Sequence, residues 1–231
     1  MTEQYYQDQR FAEKYRALVS HEDYEHNLLP AIISIDALED KVVLELGAGT
    51  GRVSCLVAAF PRRLIAVELY FSMLSLAKIA LDESGQHNWD LILSPHQALS
   101  LASDSVDMIL SGWSYHCVAL DAGQNWQEAL EQGLWEAARV LRPGAVMILI
   151  ESLGTGYENP HRPDIIVDYL DALDSHGFTS AWIRTDFCFQ TMAQAQDLIS
   201  FFFGEEPIPM WETETGVIVP ECTGLWWKRL K

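Results

Sequence analysis

VVLELGAGTGR, residues 42–52, is the stretch whose reading decides the fold. Val42, Val43, Leu44 and Leu46 make an apolar run too short for a buried helix and suited to a central parallel strand covered on both faces. Gly47, Gly49 and Gly51 follow at every second position, and a helix-compatible run from Val53 to Phe60 stops at Pro61. The order is strand, glycine turn, helix. Backbone without Cβ atoms lets a ligand come close, and the N–H groups of the helix start face whatever occupies the turn.

Two ligand classes compete for such a turn. A dinucleotide site takes G-x-G-x-x-G, and counted from Gly47 its third glycine falls where Arg52 stands. The pattern present is E-x-G-x-G-x-G, with Glu45 two residues before the first glycine. In this the chain resembles the class I S-adenosylmethionine-dependent methyltransferases, in their small-molecule, methyltransferase-11-like group. The resemblance implies that Glu45 sits near the methionine amino group of S-adenosylmethionine. It also implies that Gly47, Ala48, Gly49, Thr50, Gly51 and Arg52 surround the nucleoside and methionine portions of that cofactor. The fold implied is α/β: a Rossmann-like, seven-stranded, mostly parallel sheet with helices on both faces and its last strand antiparallel between strands five and six. Glu136 to Ala145, EAARVLRPGA, is similar to the family's E-x-x-R-V-L-K-P-G-G helix-to-strand segment, with Ala145 replacing the second glycine. The resemblance covers residues 40–152.

Arg63 to Glu68 reads as the second strand and ends on an acid about 20 residues past the first glycine, where one carboxylate accepts both ribose hydroxyls. Tyr70 to Leu81 follows as a helix, with Leu69 and Met73 placed to touch adenine and Met73 equally suited to the core. After the third strand, Trp89 to Leu93, Pro95 stands where the family has the Asp that bonds the adenine amino group. That contact then passes to Gln97, to a backbone group, or is lost, with stacking by His96 as a further option. Asp107 to Ser111, the fourth strand, delivers Gly112, Trp113, Ser114, Tyr115 and His116 to the region where cofactor methyl and acceptor should meet. His116 reads as a general base or substrate-orienting donor, against an ordinary satisfied histidine; Tyr115 adds a hydroxyl, and for Trp113 and Tyr115 pocket lining and core packing are both open.

Asn125 to Leu141 is an amphipathic helix stopped by Pro143 and Gly144, and Ala145 to Ile150 is the fifth strand. Beyond 152 the match weakens. Tyr157 and His161, in the loop from Gly154 to Pro163, are candidates to line a substrate pocket. Asp164 to His176 reads as a helix, Thr179 to Phe189 as a strand, Thr191 to Phe203 as an added helix, and Val217 to Val219 with Thr223 to Lys228 as closing strand pieces. Phe201, Phe202 and Phe203 are core or substrate wall. Residues 1–38 form a helical cap, packed on the sheet edge or acting as a lid that brings Tyr15, His21 and Tyr24 to the ligand.

The whole is expected to be one domain: cap 1–38, cofactor-binding core 39–152, substrate-side half 153–231. Fifteen basic against 33 acidic residues give a net charge of −18, which repels phosphate backbones and argues against nucleic-acid partners. No apolar run approaches the roughly 20 residues that span a bilayer. The polar start, MTEQYYQDQR, lacks a signal peptide, so a cytoplasmic monomer or homodimer is expected. Cys55, Cys117, Cys188 and Cys222 show no metal spacing and are expected to be reduced, mostly buried thiols, with no metal bound. The function expected is methyl transfer from S-adenosylmethionine to a small-molecule acceptor. The alternatives are a catalytically inactive binding or partner protein and, ranked last, a nicotinamide-dependent dehydrogenase.

Overall fold

The computed structural model describes residues 6–230. The chain runs α1 (Gln9–Val19), α2 (Leu28–Ile35), β1 (Val42–Leu46), α3 (Arg52–Val57), β2 (Arg63–Glu68), α4 (Phe71–Glu83), β3 (Trp89–Leu93) and β4 (Val106–Gly112). It continues through α5 (Tyr115–Ala122), α6 (Trp126–Val140), β5 (Leu141–Thr155), α7 (Val167–Ser175), β6 (Thr179–Arg184) and β7 (Phe187–Phe189). The last elements are α8 (Met192–Phe203), β8 (Trp211–Glu212), β9 (Val217–Val219) and β10 (Glu221–Arg229). Seven strands form one sheet in the order β3-β2-β1-β4-β5-β10-β6. β1 pairs parallel with β2 and β4, whereas β10 is antiparallel to both β5 and β6. This is the seven-stranded, mostly parallel, Rossmann-like sheet that the sequence implies.

Side chains alternate across each strand, so the apolar runs feed two cores. Leu44, Leu46, Val67, Ile109 and Leu149 enter the core shared with α5, α6 and α7. Val43, Leu64, Met108, Leu110 and Ile148 enter the opposite one with α2 and α3. Among the described residues no helix is long and apolar enough to cross a membrane.

The Glu136–Ala145 signature has a mechanical role. Glu136 Oε1 accepts from the Leu99 N–H at 2.8 Å, and Arg139 donates to the carbonyls of Leu99 and Leu101 at 3.1 and 2.8 Å. A 2.7 Å ion pair joins the two side chains, so α6 clamps the loop between β3 and β4.

Several boundaries differ from the reading above. β5 begins at Leu141, not Ala145, because the backbone of Leu141 already pairs with Val106 before a register shift carries Met108 to Val146. Thr179 to Phe189 is two strands: Asp186 turns to accept from Arg184 and from the Glu221 N–H, and β7 leaves the main sheet. β7 and β9 belong with β8 to a small antiparallel sheet, so Val217–Val219 is not part of the inserted strand. Tyr115 to Ala122 is helical, which the sequence reading left open. α8 packs on the small sheet together with Leu18 of α1. Phe202 joins that cluster and Phe201 lies 5.2 Å from Phe11, so these two pack against α1, while Phe203 is exposed beside Phe202.

The cap is tied down by buried charge. Glu22 pairs with Arg52 at 2.7 Å, and Asp23 accepts from the Asn27 and Leu28 N–H groups at the start of α2. Glu221 lies behind this pair, with one oxygen bonded to the Ser152 hydroxyl at 2.6 Å and the other buried without a hydrogen-bond partner. Burial, reinforced by Glu22, pushes Glu221 up to about 8. The folded state therefore holds this proton more tightly than the unfolded chain, and the stability it contributes is present at low pH and lost as pH rises toward about 8. Glu221→Gln should flatten that loss. In thermal melts at about pH 5.5 and about pH 8.5 the wild type should lose on the order of 1–3 kcal/mol more than the variant; parallel losses would remove Glu221 as the cause.

Candidate cofactor and acceptor site

A cavity of about 380 Å³ lies beyond the carboxyl ends of β1, β2 and β4, where open α/β sheets bind their ligands. Gly47 and Gly49 form its floor, with φ of 74° and 56°, a region of backbone space that side chains rarely adopt. A Cβ on Gly47 would overlap the Ser114 side chain. Glu68 is only 7% exposed and organises the turn. One of its oxygens accepts from the Gly49 N–H at 2.8 Å, the other from the Leu69 and Tyr70 N–H groups at 2.8 and 2.9 Å. Burial raises Glu68 above the usual carboxylate range, against those three bonds.

Leu69, Met73, His96, Gln97, Gly112 and Trp113 all line this cavity, as does Tyr15 from the cap. His96 is buried, its ring stacked on Tyr115 at 5.5 Å, and desolvation pushes it down to about 4, so it is neutral. Its Nδ1 has no hydrogen-bond partner. Trp113 carries φ of 49°, uncommon for a bulky residue, and its ring lies 3.3 Å beneath the Arg52 guanidinium.

Other expected site residues lie elsewhere. The Glu45 carboxylate is buried against the Ser54 hydroxyl, and burial pushes it up to about 7; it braces β1 on α3 and does not reach the cavity wall. Ala48 is buried in the turn, while Thr50, Gly51 and Arg52 face a separate cleft with His21 and Tyr24. His21 is held there by the Cys188 carbonyl and Gln194, both at 3.0 Å. Tyr157 and His161 stack on each other at 4.2 Å, exposed and outside the cavity. Tyr115 is fully buried in the core, its hydroxyl enclosed near Gly133, so it faces no ligand.

His116 is the informative case. Its Nδ1 lies 2.7 Å from Glu151 Oε2, and its backbone N–H donates to Glu151 Oε1 at 3.2 Å. Glu151 is fully buried and also accepts from the Tyr169 hydroxyl at 2.9 Å. Burial of the ring opposes a charge on His116, but Cys117 and Glu151 outweigh it and hold the imidazole well above its usual range. His116 does not line the cavity; Cys117, 3.6 Å from its Nε2, does. Sequence reasoning puts Glu151 on the ligand face at the end of the fifth strand but missed its pairing with His116, and it missed Cys117, Tyr6, Tyr70 and Asp121 as cavity residues. Only Cys117, beside His116, carried a signal that closer reading would have used. The thiols are also more open than expected, since Cys55, Cys117 and Cys188 are half-buried and Cys222 alone is buried.

Residues 44–149 match the family model described as a methyltransferase domain. The chain carries a class I S-adenosylmethionine-dependent methyltransferase domain. This methyltransferase domain is 36% identical over 104 residues to a malonyl-acyl-carrier-protein O-methyltransferase of Methylococcus capsulatus, covering 44% of this chain and 34% of that protein. An uncharacterised methyltransferase of Schizosaccharomyces pombe is 32% identical over 113 residues, covering 48% of this chain and 39% of the other. The chain thus spans little more than a third of the curated relatives it matches. Among solved structures, a SAM-dependent methyltransferase of Aquifex aeolicus superposes with a TM-score of 0.58 at 15% identity, over 95% of this chain and 97% of that one. The cyclase SpnF shares the fold with a TM-score of 0.57 at 16% identity, over 88% of this chain and 79% of its own.

The residues of the methyltransferase domain fit its cofactor, S-adenosylmethionine. Gly49 leaves open space that a Cβ would enter, Glu68 supplies a carboxylate, and the unpartnered His96 Nδ1 belongs to a residue of the cavity wall beside Gln97. The wall carries two carboxylates, Glu68 and Asp121, which suits a cationic ligand.

Proposed function

We propose that this protein transfers a methyl group from S-adenosylmethionine to a small-molecule acceptor. The observation that carries this reading is the joining of the glycine floor and Glu68 to the His116–Glu151 dyad through Cys117, around one cavity of about 380 Å³. Such a volume suits a cofactor and a compact acceptor. The net charge of −18 works against a nucleic-acid acceptor.

When bound, the cofactor supplies a methyl group on a positively charged sulfur. The chain's own part is positioning and exclusion of water. Gly47 and Gly49 admit the ligand, Glu68 offers its carboxylate edge, and Tyr6, Tyr15 and Tyr70 close the cavity on the cap side. Met73 gives apolar contact, and neutral His96 with Gln97 supplies the polar atoms where Pro95 cannot. That arrangement favours a working site over the inactive binding protein that the Pro95 departure raises.

Isothermal calorimetry separates the readings. S-adenosylhomocysteine should bind with Kd on the order of 1–100 μM, about −8 to −5.5 kcal/mol, and NAD should give no comparable heat. Tighter binding of NAD would replace the methyltransferase reading with the dehydrogenase one.

A further inference from the structure

We propose that Cys117 is the catalytic base of this site: His116 and Glu151 hold its thiol as a thiolate facing the cavity, where it takes the proton of an acceptor whose attacking atom carries one, a hydroxyl, a phenol or a thiol. The inference rests on the methyltransferase reading and narrows it to an acceptor class.

Three groups stand in series. Glu151 Oε2 bonds His116 Nδ1 at 2.7 Å, and His116 Nε2 meets Cys117 Sγ at 3.6 Å, a distance that sulfur permits. Both ring nitrogens are therefore engaged, one by a carboxylate and one by a thiol. The neutral pair, with Nδ1–H on Glu151 and S–H on Nε2, and the ion pair, with a proton on each nitrogen, make the same two contacts; the buried Glu151 carboxylate beside the ring favours the imidazolium and with it the negative charge on sulfur. Glu151 is built for that state: fully buried, it accepts from the His116 backbone N–H, the His116 ring and the Tyr169 hydroxyl. Cys117 belongs to the cavity wall and His116 does not, and the wall there also carries Asp121, one turn along α5, and Tyr6 and Tyr15 from the cap.

The same geometry works against acyl transfer. A nucleophilic cysteine of that kind needs free N–H donors for an oxyanion. Here the His116 N–H is taken by Glu151, and the Cys117 N–H by the Ser114 carbonyl at 3.0 Å. Proton transfer is what remains. The acceptor's X–H bond breaks, its electron pair stays on X, and the proton goes to Cys117 Sγ. After product leaves, the thiol returns that proton to water and the ion pair with His116 reforms. A carboxylate acceptor has no proton to lose, and the carboxylates of Glu68 and Asp121 would repel it.

The test is alkylation by iodoacetamide at neutral pH, read at each cysteine by peptide mass spectrometry, because the thiolate is the reacting species. Cys117 should be labelled in the native protein, and saturating S-adenosylhomocysteine should slow its labelling. In His116→Gln and in the isosteric Glu151→Gln the rate at Cys117 should fall about tenfold or more, with Cys55 and Cys188 unchanged as internal controls of folding. Wild type should also show a far-ultraviolet thiolate absorbance that Cys117→Ser lacks, a readout needing no other variant. A Cys117 that stays unlabelled, that reacts equally in folded Glu151→Gln, or that gives no thiolate absorbance overturns the proposal. Calorimetry keeps the two levels apart: homocysteine-nucleoside binding with no dependence of Cys117 on His116 sinks the base and spares the methyltransferase reading. His116-dependent labelling without such binding does the reverse.

Discussion

Gly47→Val is expected to abolish S-adenosylhomocysteine binding in calorimetry and to lower unfolding stability by about 3 kcal/mol or more in denaturant titration. Two effects add. At φ of 74° a β-branched residue is strained by about 1–3 kcal/mol before any contact is made. Its Cβ then overlaps Ser114 at both Oγ and Cβ, and the Cβ is fixed to the backbone, so rotating the hydroxyl brings no relief. The start of α5 must move, and the cavity wall with it. Gly49→Ala is the matching control. A Cβ there meets Met73 Cε at 3.7 Å and Tyr15 Cε1 at 4.0 Å, ordinary contacts, so its cost is confined to φ and to ligand space. Gly49→Val should therefore lose binding with a smaller loss of stability than Gly47→Val. Equal effects at the two glycines, or binding within threefold of wild type at Gly47, would refute this account of the floor.

Glu68→Ala should cost about 2–4 kcal/mol of stability and weaken S-adenosylhomocysteine by at least tenfold. The carboxylate does more than meet a ribose. It is the acceptor for the N–H groups of Gly49, Leu69 and Tyr70, so alanine orphans three donors in a buried turn. Glu68→Gln retains one oxygen and should recover part of the stability, because Leu69 and Tyr70 share a single oxygen, while Gly49 then faces an amide N–H₂. Chemical denaturation measures the first quantity and calorimetry the second. An alanine variant with unchanged stability and weakened affinity would make Glu68 a ligand contact alone.

How much of this was legible follows from the range of each interaction. The glycine turn, the apolar strands and Glu68 are local patterns, and the Glu136–Ala145 segment encodes a clamp within one helix turn. Position of β10 between β5 and β6 came from resemblance, since no local pattern distinguishes an inserted strand from an edge one. Glu45 fits its motif, yet its carboxylate is spent on Ser54, nine residues on, a pairing that a motif cannot show. The pairing of Glu151 with His116 was invisible because the two are 35 residues apart and meet only when β5 lies beside the start of α5. Tyr115 looked like a catalytic hydroxyl because helix α5 was not foreseen. Once helical, neighbours 115 and 117 point different ways, and the tyrosine goes to the core while the cysteine goes to the cavity.

β10 seals the main sheet with residues 221–229, filling the slot between strands made dozens of residues earlier and burying Trp226 in the core. While the polypeptide is still emerging from the ribosome, β5 and β6 have an open gap whose unmet amides and carbonyls invite other chains. Pairing of β10 thus completes the main sheet, and a chain truncated before residue 221 should be a sticky, chaperone-dependent fragment.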